Sequence, residues 1–120
     1  MLGIAMMSAA QAAEYFDSAD TVAQWCRLAE QGAADAADKH AAGEACLAFI
    51  AGVHDTNTLL VTAAGMNPTY CAPADATLGQ LARVFSGYMA RNEEDGNLPA
   101  AAAVMLALQE SYPCPSAAVP

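Results

Sequence analysis

The sequence predicts an all-α fold: a small disulfide-stapled bundle of four main helices in two hairpins. Three observations lead there. Apolar residues recur at helical spacing along four segments of the chain. Hydrophobic residues make up 56% of the sequence, and much of that share is alanine, which favours helix over strand. No stretch alternates apolar and polar residues as a half-buried strand would.

A length of 120 residues suits one small domain and not two. Only 14% of residues are charged, too few for a disordered chain of this apolarity. Among them 13 acidic residues face 4 basic ones, giving a net charge of −9. So negative a surface repels phosphate backbones and anionic headgroups, which argues against nucleic-acid and membrane-surface binding. A cationic protein partner would instead be steered in.

The first stretch, "MLGIAMMSAAQAAEYF", is apolar and rich in small residues before it turns polar at Glu14. Ala10-Gln11-Ala12 has the A-x-A form of a signal-peptidase site, with cleavage after Ala12, although no basic residue precedes the apolar run. Residues 1–12 are therefore expected to be a secretory signal, and residues 13–120 a single exported helical domain. No later segment approaches the ~18 apolar residues of a membrane span, so the mature chain is not expected to insert into a membrane.

The first helix reads "TVAQWCRLAEQ", capped by Asp17, Ser18 or Asp20 and stopped at Gly32, with Val22, Trp25, Cys26 and Ala29 on one face. A loop, "GAADAADK", leads to a long helix from near His40 to about Ala64, ended by Gly65 and then Asn67-Pro68. Its stripe is Cys46, Phe49, Ile50, Val53, Asn57, Leu60 and Val61. Gly52 in mid-helix costs about 1 kcal/mol relative to alanine, and close approach of another helix would explain it. The third helix opens at "TLGQ", where Thr77 and Gln80 fit a capping box; Leu78, Leu81, Phe85, Tyr88 and Met89 form its face, with Val84 beside them. A polar loop, "RNEEDGN", follows. The fourth helix has Pro99 near its first turn, runs through "AAAAVMLALQES" and is stopped by Pro113 and Pro115.

Four cysteines, Cys26, Cys46, Cys71 and Cys114, in a small exported chain read as two disulfides. In helical hairpins the end of one helix lies beside the start of the next. Cys26 and Cys46 flank the first interhelical loop, while Cys71 precedes the third helix and Cys114 follows the fourth. The expected pairing is thus Cys26–Cys46 and Cys71–Cys114. No C-x₂-C or H-x₃-H spacing marks a zinc site.

The residues capable of chemistry are scattered. Cys46 faces the core and has a partner in Cys26, so it is not read as a nucleophile. His54 and Asp55 are neighbours in sequence and point about 100° apart on a helix, which prevents a dyad. His40 and Glu44, four apart, would make only a weak two-ligand metal site. Serine-nucleophile signatures, P-loops and dinucleotide fingerprints are missing. Trp25, Tyr70, Tyr88 and Tyr112 sit where packing, not a cofactor, uses them. The sequence is read as that of a non-enzyme with no metal and no cofactor.

Taken in order, "VAQWC", "CLAFIAGVHD", "YCAP" before "TLGQLARVFSGYM", and "LPAAAAVMLALQESYPC" form a specific layout. It resembles the Rap/Tai family of immunity proteins of type VI secretion. Members carry C-L-x-[YF]-I-x-G-V-x-D, a C-x-P before a threonine-capped helix, and a terminal A-L-x-x-x-[FY]-P-C. These motifs fall on Cys46 to Asp55, on Cys71 with Pro73, and on Ala107 to Cys114; the likeness spans about residues 20 to 114. It implies a periplasmic helical protein, often dimeric, that blocks a peptidoglycan amidase effector, a Cys/His hydrolase, by plugging its cleft with a protruding loop. Phe49, Gly52, Asp55, Pro73 and Pro113 then belong to the scaffold.

The expected contact with that partner is the loop Asn92 to Asn97, with Glu93, Glu94 and Asp95 at its centre. It is polar and is tethered at both ends by packed helices. It is acidic where relatives often carry a His-Pro-like step. A second reading is a periplasmic helical binding or acid-stress chaperone-like module without an effector, whose carboxylates and two histidines would supply the titratable groups.

Overall fold

The computed structural model describes residues 16–30 and 36–115. The expected signal segment lies outside them. Four α-helices follow one another: α1 (Ala19–Glu30), α2 (Ala36–Ala64), α3 (Leu78–Arg91) and α4 (Ala100–Ser111), with a 3₁₀ turn, Glu93–Asn97, between the last two. Among the described residues there is no strand, only an isolated antiparallel bridge between Ser18 and Pro99.

That bridge joins the beginnings of α1 and α4. Ala19 N–H donates to Leu98 O at 2.8 Å, and Ala100 N–H donates to Asp17 O at 3.0 Å. Each helix start, which leaves several N–H groups unpaired, thereby finds an acceptor in the segment leading into the other. Of the three candidate caps, Ser18 acts: its Oγ accepts from Thr21 N–H at 3.3 Å. Helix α1 starts two residues earlier than the sequence suggests, because the bridge holds Ala19 in place.

Helix α2 also starts early, at Ala36 and not near His40. Two alanines are strong helix formers, and Asp38 in the first turn suits the positive end of the helix dipole. The helix ends at Ala64, where Gly65 takes φ +66°, a conformation that costs glycine nothing. Met66 N–H then donates back to Leu60 O at 3.1 Å.

At α3 the capping box forms as expected. Gln80 N–H donates to Thr77 Oγ1 at 3.1 Å, and Thr77 N–H to Gln80 Oε1 at 2.9 Å. Leu81, Phe85, Tyr88 and Met89 are buried, whereas Leu78, in the first turn, is exposed. Helix α4 buries Ala100, Ala103, Val104, Ala107 and Leu108, and Tyr112 closes it by donating its N–H to Leu108 O at 2.8 Å.

The core draws on every helix: Val22 and Cys26 from α1, Ile50 and Val53 from α2, Leu81 and Phe85 from α3, and Val104 and Leu108 from α4. Helix α1 touches all the others and the 3₁₀ turn, so it is the axle on which the two hairpins meet. The disulfides join Cys26 to Cys46 and Cys71 to Cys114, with Cα–Cα distances of 5.1 and 4.9 Å. One fastens α1 to α2; the other fastens the segment before α3 to the end of α4.

Three sequence expectations about α2 need correction. By length and a mean hydropathy of 1.2, residues Ala37–Ala64 match a bilayer-crossing helix, contrary to the reading that no later segment does. Within the bundle the disulfide at Cys46 and the core contacts of Ile50 and Val53 use part of that apolar surface, and 22% of the window is buried. The apolar stripe does not stay buried to its end, since Leu60 is 37% exposed. Gly52 is not a point of close approach either, because a Cβ placed there would meet nothing within 4 Å.

Candidate functional site

The acidic segment is a fixed turn, not a loose loop. Asn92 Nδ2 donates to Tyr88 O at 2.9 Å, and Asp95 N–H to Asn92 O at 2.9 Å. Tyr88 Oη donates to Asp95 Oδ2 at 2.6 Å. Gly96 is buried and faces the Asp20 carboxylate so closely that any side chain there would run into it. The consequence divides the predicted site residues. Glu93, Glu94 and Asn97 are exposed, while Asn92 and Asp95 are half-buried and committed to holding the turn.

Electrostatics record the same commitment. The hydrogen bond to the Asp95 carboxylate pushes the Tyr88 phenol up to about 12 from 10.0, helped by burial and by the negative charges of Asp95, Glu110 and Glu94. Beside the turn, Asp20, Arg27, Met89, Ala90 and Glu93 enclose an open hollow of about 450 Å³. Arg91 bonds Glu110 at 2.7 Å across the surface of the α3–α4 hairpin.

The motif residues of α2 separate onto two faces. Phe49 and Gly52 line an apolar groove of about 410 Å³ between α2 and α4, with Ala48, Val53, Ala101 and Met105. The other face carries His54, whose Nδ1 lies 2.7 Å from Tyr70 Oη with the two rings stacked, centroids 5.8 Å apart. Burial raises the Tyr70 phenol, and the charge of Asp55 adds to it. Asp55 itself is exposed. Pro73 belongs to the wall facing His54 and accepts from Ala76 N–H at 3.0 Å. Pro113 follows the last turn of α4, next to Tyr112, whose carbonyl accepts from Cys71 N–H at 2.8 Å.

Chemistry finds few materials here. All four cysteines are bonded in pairs, so none supplies a thiolate. His40 Nε2 and Glu44 Oε1 are 3.1 Å apart on an exposed helix surface. Among the described residues no group of three His, Cys, Asp or Glu side chains is placed to hold a metal ion. What the surface offers is recognition: a rigid acidic turn, an apolar groove and a cleft beside His54.

Sequence reasoning missed the bonds that organise these features. Tyr88–Asp95 crosses a helix end, and His54–Tyr70 spans 16 positions; neither leaves a periodic trace. One signal was present, since Asn57 is a polar residue in an otherwise apolar stripe.

No curated protein and no solved structure matches the chain. The family model of Rap1a immunity proteins matches residues 18–114. That span runs from the capping residue of α1 to the disulfide cysteine beyond α4, the whole helical bundle, and the chain therefore belongs to the Rap1a immunity protein family.

Proposed function

We propose that this immunity protein acts in the periplasm, where it binds a peptidoglycan amidase effector of type VI secretion and blocks its cleft sterically. The observation that carries the reading is the family match over residues 18–114. Two disulfides suit an oxidising compartment, in keeping with export through the N-terminal segment. The charge of −9 favours encounter with a cationic surface. Glu93 and Glu94 stand exposed on a turn whose backbone is already ordered, so binding through them spends little entropy on arranging a loop. The protein contributes no catalytic step; it occupies space and charge that the substrate of the amidase would otherwise meet.

The test uses oxidised protein, residues 13–120, titrated into purified Cys/His amidase effectors while release of peptidoglycan fragments is followed. The expected result is loss of activity at stoichiometric protein with one effector, partly restored by Glu93→Lys with Glu94→Lys. Light scattering of the complex then gives the number of copies engaged. If no amidase is slowed at any ratio, the proposed target is wrong.

A further inference from the structure

The face of α2 that carries His54 continues through Asn57, Thr58, Val61 and Thr62, at spacings of three and four that put them in one line along the helix. Opposite stands the segment from Pro68 to Ala76, and between the two lies a cleft of about 260 Å³. Its outer wall is well anchored. Cys71 is bonded to Cys114 and its N–H to Tyr112 O, and the buried Tyr70 is bonded to His54.

At this cleft Asn57 is only 8% exposed, yet among the described residues nothing hydrogen-bonds its side chain. Its carboxamide is not sealed, because Ser86 Oγ is the one sealed side-chain atom without a partner among the described residues; the carboxamide reaches the cleft, where its donors and acceptor are open to a ligand. Asn57 brings two N–H donors and a carbonyl acceptor in one plane. Of the hydroxyls lining the cleft, Thr62 Oγ1 donates to Thr58 O of its own helix at 2.9 Å and Tyr70 Oη pairs with His54 Nδ1. The remaining walls are Val61, Ala72, Pro73 and Ala76, and no carboxylate, Lys or Arg lines the space.

We propose that this cleft is a binding site for a carboxamide presented by a protein partner, an Asn or Gln side chain or an exposed peptide group, which pairs with the Asn57 amide in a two-point hydrogen bond. A charged group would enter apolar walls without a counter-charge, at the cost of its hydration. An acetamido sugar would offer the same amide, but sugar sites stack the ring on an exposed aromatic face, and Tyr70, the aromatic of this wall, is only 2% exposed. The volume is below the usual ~300 Å³ of a small-molecule pocket and suits one side chain or peptide group. This inference deepens the protein-binding reading but does not depend on the target being an amidase, and its test contains no effector.

The experiment is a titration of ¹⁵N-labelled, oxidised protein with acetyl-glutamine-methylamide, followed by NMR, with acetyl-glutamate-methylamide and N-acetylglucosamine as comparison probes. The expected result is saturable shifts of the Asn57 side-chain NH₂ pair and of the Thr58 and Ala72 amides with the glutamine probe alone. Asn57→Leu, of similar volume, should weaken binding by about tenfold or more while leaving the melting temperature equal or higher. Asn57→Asp, which keeps the shape and removes the donors, should also abolish the shifts and covers the case in which the leucine variant fails to fold. Shifts that do not saturate, equal binding of the glutamate probe or the sugar, or undiminished binding by either variant would each overturn the proposal.

Discussion

Replacing Tyr88 by Phe removes one hydroxyl from the foot of the acidic turn and leaves the ring in place. The lost bond is short, 2.6 Å to the Asp95 carboxylate, and Tyr88 is buried with 8% exposure. Hydrogen bonds to charged acceptors contribute about 1.5–3 kcal/mol. For a domain of this size each 1 kcal/mol moves the melting temperature by about 4–8 °C, so Tyr88→Phe should lower it by about 6 °C or more. Asp95→Asn keeps a carbonyl acceptor and loses the charge, so it should cost roughly half as much, about 1 kcal/mol.

The pair also predicts non-additivity. With the hydroxyl gone, Asp95→Asn has little left to remove, and the double variant should melt close to Tyr88→Phe alone. Glu93→Lys with Glu94→Lys, on exposed positions, should shift stability by no more than about 0.5 kcal/mol. Thermal melts of the five proteins decide the matter. If Tyr88→Phe melts like the parent, or the single effects simply add, the bond does not hold the turn. The proposed division between a structural Asp95 and contact-making Glu93 and Glu94 then fails.

Loss of Cys71–Cys114, which closes a separation of 43 residues, should destabilise by about 4 kcal/mol, and loss of Cys26–Cys46, with a separation of 20, by about 3 kcal/mol. Serine pairs at each site, compared by denaturant melts, should follow that order; an unchanged midpoint for either would refute the estimate. Tyr88 gives a pH limb. Its phenol ionises at 10.0 unfolded and about 12 folded, so its contribution is complete below pH 10 and is lost as pH rises towards 12. Alkaline melts should be steeper for the parent than for Tyr88→Phe, and parallel limbs would contradict the assignment. Gly52→Ala should stabilise by about 0.5–1 kcal/mol, since the added methyl meets no atom and the helix gains propensity. A lower melting temperature would mean that the groove is filled.

The helices were legible because their signals are local. Thr77 and Gln80 cap α3, Gly65 ends α2, and Pro113 follows the end of α4, each through the backbone of its own neighbourhood. The disulfide pairing was legible for a topological reason, since short hairpins bring the ends of neighbouring helices together. Burial was less so. Periodicity tells which side of α2 is apolar but not whether anything packs there, and Leu60 and Gly52 were misplaced for that reason. The acidic turn was found as a segment and misread as a loop. Its order comes from the bonds of Tyr88 to Asp95 and of Asn92 to Tyr88 O, which leave no periodic trace, and its Gly96 lies close against Asp20 of a different helix.

The misplacements share a helix. On α2 the chain gives up helix propensity at Gly52, turns the Asn57 amide to an open cleft with no hydrogen-bond partner among the described residues, and leaves Leu59 and Leu60 uncovered. Natural sequences break their local rules mainly where function requires it, and three breaks along the helix that carries the family motif point to a surface completed by another molecule. The acidic turn breaks no such rule: Glu93 and Glu94 are exposed, and the half-buried Asp95 accepts from Tyr88. We propose that the two divide the work of recognition. Exposed charge at Glu93 and Glu94 should guide encounter and weaken with salt, whereas the apolar α2 surface should govern how long a partner stays; an association rate indifferent to salt would refute that division.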